Sequence, residues 1–81
     1  MKAELYTWST CPFCVRAKGL LEKHDVSYVE HVMDGKNAEL AEVKRRYGHS
    51  TVPIVLLDGE FVGGCDDLEA LARRGGLDRA K

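Results

Sequence analysis

In Cys11-Pro12-Phe13-Cys14 a proline directly follows the first of two closely spaced cysteines, where a β-rich run gives way to helical periodicity. Before it, Ala3–Trp8 is short and apolar, with strand-forming Tyr6, Thr7 and Trp8. After it, Cys14, Ala17 and Leu21 recur at helical spacing with Leu20 flanking, while Arg16, Lys18, Glu22 and Lys23 fill the other faces. Pro12 suits the first helical position, because its missing N–H would be unpaired there in any case. A helix is therefore expected from Pro12 to His24, with Cys11 as its N-cap and Cys14 one turn in. A strand must run straight into a helix whose first turn carries both sulfurs.

The rest of the chain continues the alternation. Val26–Val32 is β-rich, and Asp34-Gly35-Lys36-Asn37 reads as a turn. Leu40, Val43 and Tyr47 then fall at steps of three and four, ending at Gly48, a C-cap signal. Asp58-Gly59 sits between two apolar runs, the strongest short-range hairpin signal. A last helix is expected to open at Asp66, with Glu69 three residues on in a capping-box pattern, Leu68, Leu71 and Ala72 as its buried stripe, and Gly75-Gly76 as its end. The order β-α-β-α-β-β-α predicts a parallel first crossover and an antiparallel closing hairpin. The expected product is an α/β domain spanning residues 1–81, with a four-stranded mixed sheet and helices on both faces.

Composition narrows the function classes. A chain of 81 residues supports one modest core, and a net charge of -1 provides no broad basic face for nucleic acid. The longest apolar run, Val52–Leu57, includes a proline and falls far short of the ~20 residues of a membrane span. The opening MKAELY shows no apolar export region, so a cytoplasmic location is expected, where a disulfide is transient rather than structural. A zinc site using Cys11 and Cys14 would need two more ligands from Cys65, His49, His24 or His31, and no second CxxC or HxxxH pair exists; no metal site is expected. Cys65 by itself reads first as a small buried hydrophobe.

An N-cap side chain faces the unsatisfied amides of the first helical turn. If that side chain is a thiol, those amides and the helix dipole favour its thiolate. Cys11 is then the exposed attacker. Cys14, on the face turned to the core, stays protonated until it is needed as resolver. A CxxC beside a β-α-β pattern reads as a thioredoxin-like thiol–disulfide exchange site. Pro53, at the entrance to the strand that follows Ser50-Thr51-Val52, suits an edge or a bend.

Cys11–Cys14, the Thr51-Val52-Pro53 triplet and Gly63-Gly64-Cys65-Asp66-Asp67 resemble the glutaredoxin family in order and spacing, and the likeness runs from Leu5 through Gly75-Gly76-Leu77-Asp78. The chain is similar to small dithiol bacterial-type members rather than to the monothiol branch. The resemblance implies a thioredoxin fold, a cis peptide before Pro53 facing the Cys11 sulfur, and a groove for glutathione. It implies that the Val52 backbone pairs with the glutathione cysteine as a strand would. It implies that amides near Cys65 and Asp66 accept the α-carboxylate, with Gly64 beside them, and that Asp67 pairs with the α-amino group. For Asp66, simple N-capping is the main role expected.

Two positions depart from that pattern. Trp8 stands where many relatives carry a lysine for the glutathione glycine carboxylate; His49, then Arg46, then Arg16 are the cations considered in its place, with His49 near Thr51 preferred. Phe13 stands where many have tyrosine, keeping the ring and losing the hydroxyl. The implied activity is glutathione-dependent reduction of glutathione mixed disulfides and protein disulfides. Glutathione serves as co-substrate, and no cofactor is tightly bound. Expected partners are glutathione and glutathionylated or disulfide-containing proteins, with ribonucleotide reductase a family-level candidate, and the chain is expected to act as a monomer without nucleic acid or membrane. A glutathione-ligated [2Fe–2S] carrier is the alternative, made less favoured by the proline after Cys11. A flavoenzyme-driven thioredoxin is a third reading, weakened by the absence of a WCGPC site.

Overall fold

The computed structural model describes residues 2–77. The elements are β1 (Lys2–Thr7), α1 (Pro12–Lys23), β2 (Ser27–Val32), α2 (Asn37–Tyr47), β3 (Ile54–Leu57), β4 (Glu60–Gly63) and α3 (Cys65–Arg73). The strands form one sheet in the order β2-β1-β3-β4. β1 is parallel to β2 and antiparallel to β3, and β3 is antiparallel to β4. This is the four-stranded mixed sheet with three helices of a thioredoxin fold.

Side chains alternate across a strand, so a sheet covered on both faces needs apolar residues at successive positions of its central strands. β3 meets that demand with Ile54-Val55-Leu56-Leu57, all buried. Val55 and Leu57 join Ala17 and Leu21 of α1 and Leu68 of α3 in one apolar cluster. Ile54 and Leu56 join Met33 and α2 residues Leu40 and Val43 in another. Leu5, Leu21, Ile54, Leu68 and Leu77 are essentially inaccessible, and each such burial is worth about 1.5–3 kcal/mol. The β3–β4 turn is made by Asp58 at φ 51° and Gly59 at φ 84°. Positive φ at both central residues is what a two-residue hairpin turn asks for. Asp58 Oδ1 also accepts the Lys2 N–H at 2.9 Å, closing the turn onto β1.

The element order, the parallel crossover, the hairpin and the Gly48 cap follow the sequence reading. Some limits move: β1 begins at Lys2 and ends before Trp8, β2 begins after Val26, and His24 is the C-cap of α1 rather than its last residue. The start of α3 is corrected in kind. Asp66 does not cap it; Gly64, extended at φ −94°, is the N-cap, which puts Asp66 and Asp67 inside the first turn. Asp67 Oδ2 accepts the Gly64 N–H at 3.0 Å, so the reciprocal capping bond comes from Asp67 and not from Glu69. Of the stretch matched at the chain's end, Asp78 lies outside the described residues.

The strand directions bring four chain segments to one end of the sheet. These are Trp8–Cys11 after β1, Met33-Asp34 after β2, Val52-Pro53 before β3 and Gly64 after β4.

Candidate functional site

At that end Cys11 adopts an extended conformation, φ −97° and ψ 113°, as the N-cap of α1, with Pro12 following at the first helical position. Its Sγ accepts the Cys14 N–H at 3.3 Å. Across the gap, the same sulfur lies 4.0 Å from the Val52 carbonyl oxygen, to which the thiol donates. The Val52–Pro53 peptide is cis. Cys11 is partly exposed, Cys14 is buried, and both are reduced. Burial, with a hydrogen bond to Cys11, pushes the Cys14 thiol up to about 12. One sulfur therefore faces solvent while the other holds its proton at neutral pH.

The loop carrying Cys11 is braced from β2. Asp34 Oδ1 accepts the Ser9 N–H at 3.0 Å, and Asp34 Oδ2 accepts the Ser9 hydroxyl. Those two bonds hold the Asp34 carboxyl below its ordinary value. Cys11 N–H donates back to the Trp8 carbonyl at 3.3 Å, closing the turn that enters α1. Beneath it, the fully buried Thr7 donates through Oγ1 to Glu30 at 2.6 Å, and Lys18 pairs with the same carboxylate at 3.0 Å.

A groove of about 570 Å³ opens at this edge. Cys11, Phe13, His49, Thr51, Val52, Pro53, Gly64, Cys65, Asp66 and Asp67 line it, and Cys14 lies buried next to Cys11. Phe13 stands at its rim, half exposed. Thr51, Val52 and Pro53 form one wall, and Gly64, Cys65, Asp66 and Asp67 the far side. His49 is placed by packing: its Nε2 lies 3.2 Å from Thr51 Oγ1, and its ring meets Phe61 edge-on at 5.7 Å. The same imidazole sits 3.2 Å from where a Cβ on Gly64 would be, so any larger residue there would push it aside. Burial raises the Cys65 thiol above its ordinary value.

Of the cations considered for the position of the absent lysine, His49 alone lines the groove. Arg46 is exposed and lies 3.7 Å from Glu42, one helical turn away. Arg16 is bound to Glu69 of α3 at 2.6 Å. The cation the sequence reading missed is Lys44, which lines the groove with its Nζ 5.3 Å from the centre of the Trp8 ring. Thr10 and Ser50, given no role in the sequence reading, also line it. Among the described residues no three of His, Cys, Asp and Glu gather in a metal-holding group, and no helix is long and apolar enough to cross a membrane.

The arrangement pairs an accessible sulfur at a helix start with a groove that is acidic and amide-rich at one end. Comparison with known proteins gives consistent results. The family model described as Glutaredoxin matches residues 3–62. The chain is 51% identical over 75 residues to Glutaredoxin 3 of Escherichia coli K12, covering 93% of this chain and 90% of that protein. Among solved structures it resembles the dithiolic glutaredoxin 2-C-Grx1 of Trypanosoma brucei brucei, with TM-score 0.83, 40% identity, and coverage of 95% of this chain and 82% of that one. It also resembles a buckwheat glutaredoxin–glutathione complex, with TM-score 0.87, 28% identity, and coverage of 93% and 71%.

Proposed function

The chain belongs to the glutaredoxin family of thiol–disulfide oxidoreductases, and from that premise we propose that it uses glutathione to reduce glutathione mixed disulfides and protein disulfides. With a glutathionylated substrate, the Cys11 thiolate attacks the glutathione sulfur. The substrate thiolate leaves and takes a proton, and Cys11 carries glutathione as a mixed disulfide. A second glutathione thiolate attacks that bond, releasing glutathione disulfide and restoring Cys11. With a protein disulfide, Cys11 forms the mixed disulfide, then Cys14 loses its proton and displaces the second substrate sulfur. Glutathione returns the resulting Cys11–Cys14 bond to two thiols.

The groove's parts take matching roles. The Val52 backbone pairs with the cysteine portion of glutathione, as an added strand would. The γ-glutamyl end carries a carboxylate and an ammonium on one carbon. The amides of Cys65 and Asp66, in the first turn of α3, suit the carboxylate, and the Asp67 carboxylate suits the ammonium. Thr51 and His49 shape the wall beside Pro53, and Phe13 covers the rim. The reading extends to glutathionylated or disulfide-bonded proteins as substrates in a reducing compartment.

The observation that carries this reading is the position of Cys11 Sγ: within reach of both the Cys14 amide and the Val52 carbonyl, at the floor of a groove ending in α3's first turn. It is tested by reduction assays on Cys11→Ser and Cys14→Ser, using a glutathionylated peptide and a protein disulfide. Cys11→Ser abolishes both activities. Cys14→Ser keeps deglutathionylation and loses most protein-disulfide reduction. Full activity in Cys11→Ser would end the proposal.

A further inference from the structure

A second groove, of about 750 Å³, lies between β4 and α3. Its helix wall is one stripe, Asp67, Ala70, Leu71 and Arg74, at the steps of three and four that share a helical face. Its other wall is β4, the last strand of the sheet, whose outer side pairs with no strand among the described residues. The register sets Leu57 opposite Glu60 across the two-residue turn. By the alternation of an antiparallel ladder, the N–H and C=O of the next residue, Phe61, then point to the open side.

Asp67 lines both grooves and joins them into one path. Adjacent strands lie ~4.8 Å apart, so the distance from Val52, before β3, to a position outside β4 is roughly 10 Å. About three residues of extended chain cover that distance. Glutathione, a tripeptide with its γ-glutamyl end at Asp67, is used up in reaching the corner. A protein chain continues, and β4 provides four residues for it to run beside.

The edge is guarded against indiscriminate pairing. β4 is short, its ladder is irregular opposite Val55 and Leu56, and Glu60 is exposed at its start. An edge of this kind holds a free peptide poorly and a tethered one well. When the Cys11 thiolate attacks a protein disulfide, one substrate sulfur leaves as a thiolate and takes a proton. The other stays bonded to Cys11, and the chain carrying it is held at an effective concentration of roughly millimolar.

We propose that the outer edge of β4, with the Asp67–Arg74 stripe of α3 beside it, docks the extended segment next to the reacting cysteine of a disulfide-bearing protein as a fifth strand. The assignment rests on the oxidoreductase reading and adds what separates its two substrate classes: glutathione ends at Asp67, and a protein chain goes on. Gly63 lies against Asp67, so the groove starts acidic there. Ala70 and Leu71 make its middle apolar, and Glu60 and Arg74 make its far end mixed in charge. The favoured segment carries a cation where it meets Asp67, followed by apolar residues.

The test traps the mixed disulfide in Cys14→Ser, which cannot resolve it, and follows hydrogen exchange at the Phe61 amide. The partners are a peptide with eight residues on either side of its cysteine, the same cysteine with one residue on either side, and glutathione. The long peptide slows Phe61 exchange by about tenfold or more, and the other two leave it unchanged. N-methylation of alternate residues in the long peptide removes the protection. With wild type, kcat/KM for the long peptide disulfide exceeds that for the short one by about 3- to 10-fold, the worth of one net backbone hydrogen bond. Ala70→Phe, which fills the stripe, brings that ratio to about one and leaves turnover of the glutathionylated short peptide unchanged. Phe61 exchange that stays fast with the long peptide, or slows equally with glutathione, overturns the docking edge and leaves the oxidoreductase reading standing. A folded Ala70→Phe that keeps the ratio does the same. So does protection that appears without peptide and grows with protein concentration, which marks the edge as a contact between two copies of the chain. A Cys14→Ser protein that forms no mixed disulfide with any partner sinks both.

Discussion

The Asp67 carboxylate folds back over Gly63 so closely that a Cβ on the glycine would lie 2.2 Å from Oδ2 and 2.8 Å from the aspartate's own Cβ. Gly63 also sits at φ 132°, a region L side chains rarely adopt. The carboxylate proposed to receive an ammonium is thus held by two glycines: one leaves the space and the next donates its N–H at 3.0 Å.

Gly63→Ala is expected to expel that carboxylate, because the clash reaches the aspartate Cβ and cannot be relieved by a rotamer change alone. The backbone strain adds a cost of about 1–3 kcal/mol. Thermal unfolding will show the lower Tm, and the KM for glutathione will rise. An unchanged KM in a folded Gly63→Ala would remove Asp67 from the ligand site.

Cysteine labelling at neutral pH should be selective. With the Cys14 thiol pushed up to about 12 and Cys65 raised by burial, iodoacetamide should modify Cys11 well before either. A thiol whose folded value exceeds its unfolded one stabilises the fold fully below the unfolded value and loses that contribution as pH rises through the folded one. Wild-type stability should therefore decline from about pH 9 toward 12, and Cys14→Ser should show a flatter alkaline limb. Peptide mapping that found Cys14 labelled as fast as Cys11 would contradict this.

The Ser9–Asp34 brace predicts a separation of activity from stability. Asp34 is fully exposed, and its carboxyl is depressed by the Ser9 hydroxyl and amide. Asp34→Ala should loosen the Trp8–Cys11 loop, lowering kcat/KM with little change in Tm. The ordering persists above the ordinary carboxyl value and fades as pH falls through the depressed one. Hydrogen exchange at Ser9 and Cys11, followed against pH, measures it directly.

Thr7→Val removes the hydroxyl that donates to Glu30 at 2.6 Å while keeping the packing volume. The loss should be about 1–2 kcal/mol in urea unfolding at neutral pH, since a hydrogen bond to a charged group is surrendered. The Glu30 carboxyl is held below its ordinary value chiefly by the Thr7 bond, with help from Lys18. Its stabilisation is present above the unfolded value and lost as pH falls through the folded one. The acid limb of stability should accordingly be shallower in Thr7→Val than in wild type.

Much of the molecule could be read from local signals. Cys11-Pro12 announced a helix start, Asp58-Gly59 a hairpin and Gly48 a cap, because each signal is completed by residues next to it. What escaped depends on residues brought together by folding. Lys44 looks like one of three solvated basic residues until α2 packs beside Trp8. Asp34 looks like a turn residue until the parallel pairing of β1 and β2 sets it against Ser9. Gly64 caps α3 through its backbone, so the sequence shows no polar side chain to mark the place, and the acidic Asp66 draws the eye instead.

The sheet's central seam, where Tyr6 pairs with Ile54, also divides the labour of the chain. Both reactive sulfurs come from the β-α-β half that precedes it, and most of the groove wall from the β-β-α half that follows. Changes confined to the later half can retune which small molecule is accepted without disturbing the electron-carrying pair. A lineage built on this plan can adapt to a different cellular reductant by drift in one contiguous stretch of its gene.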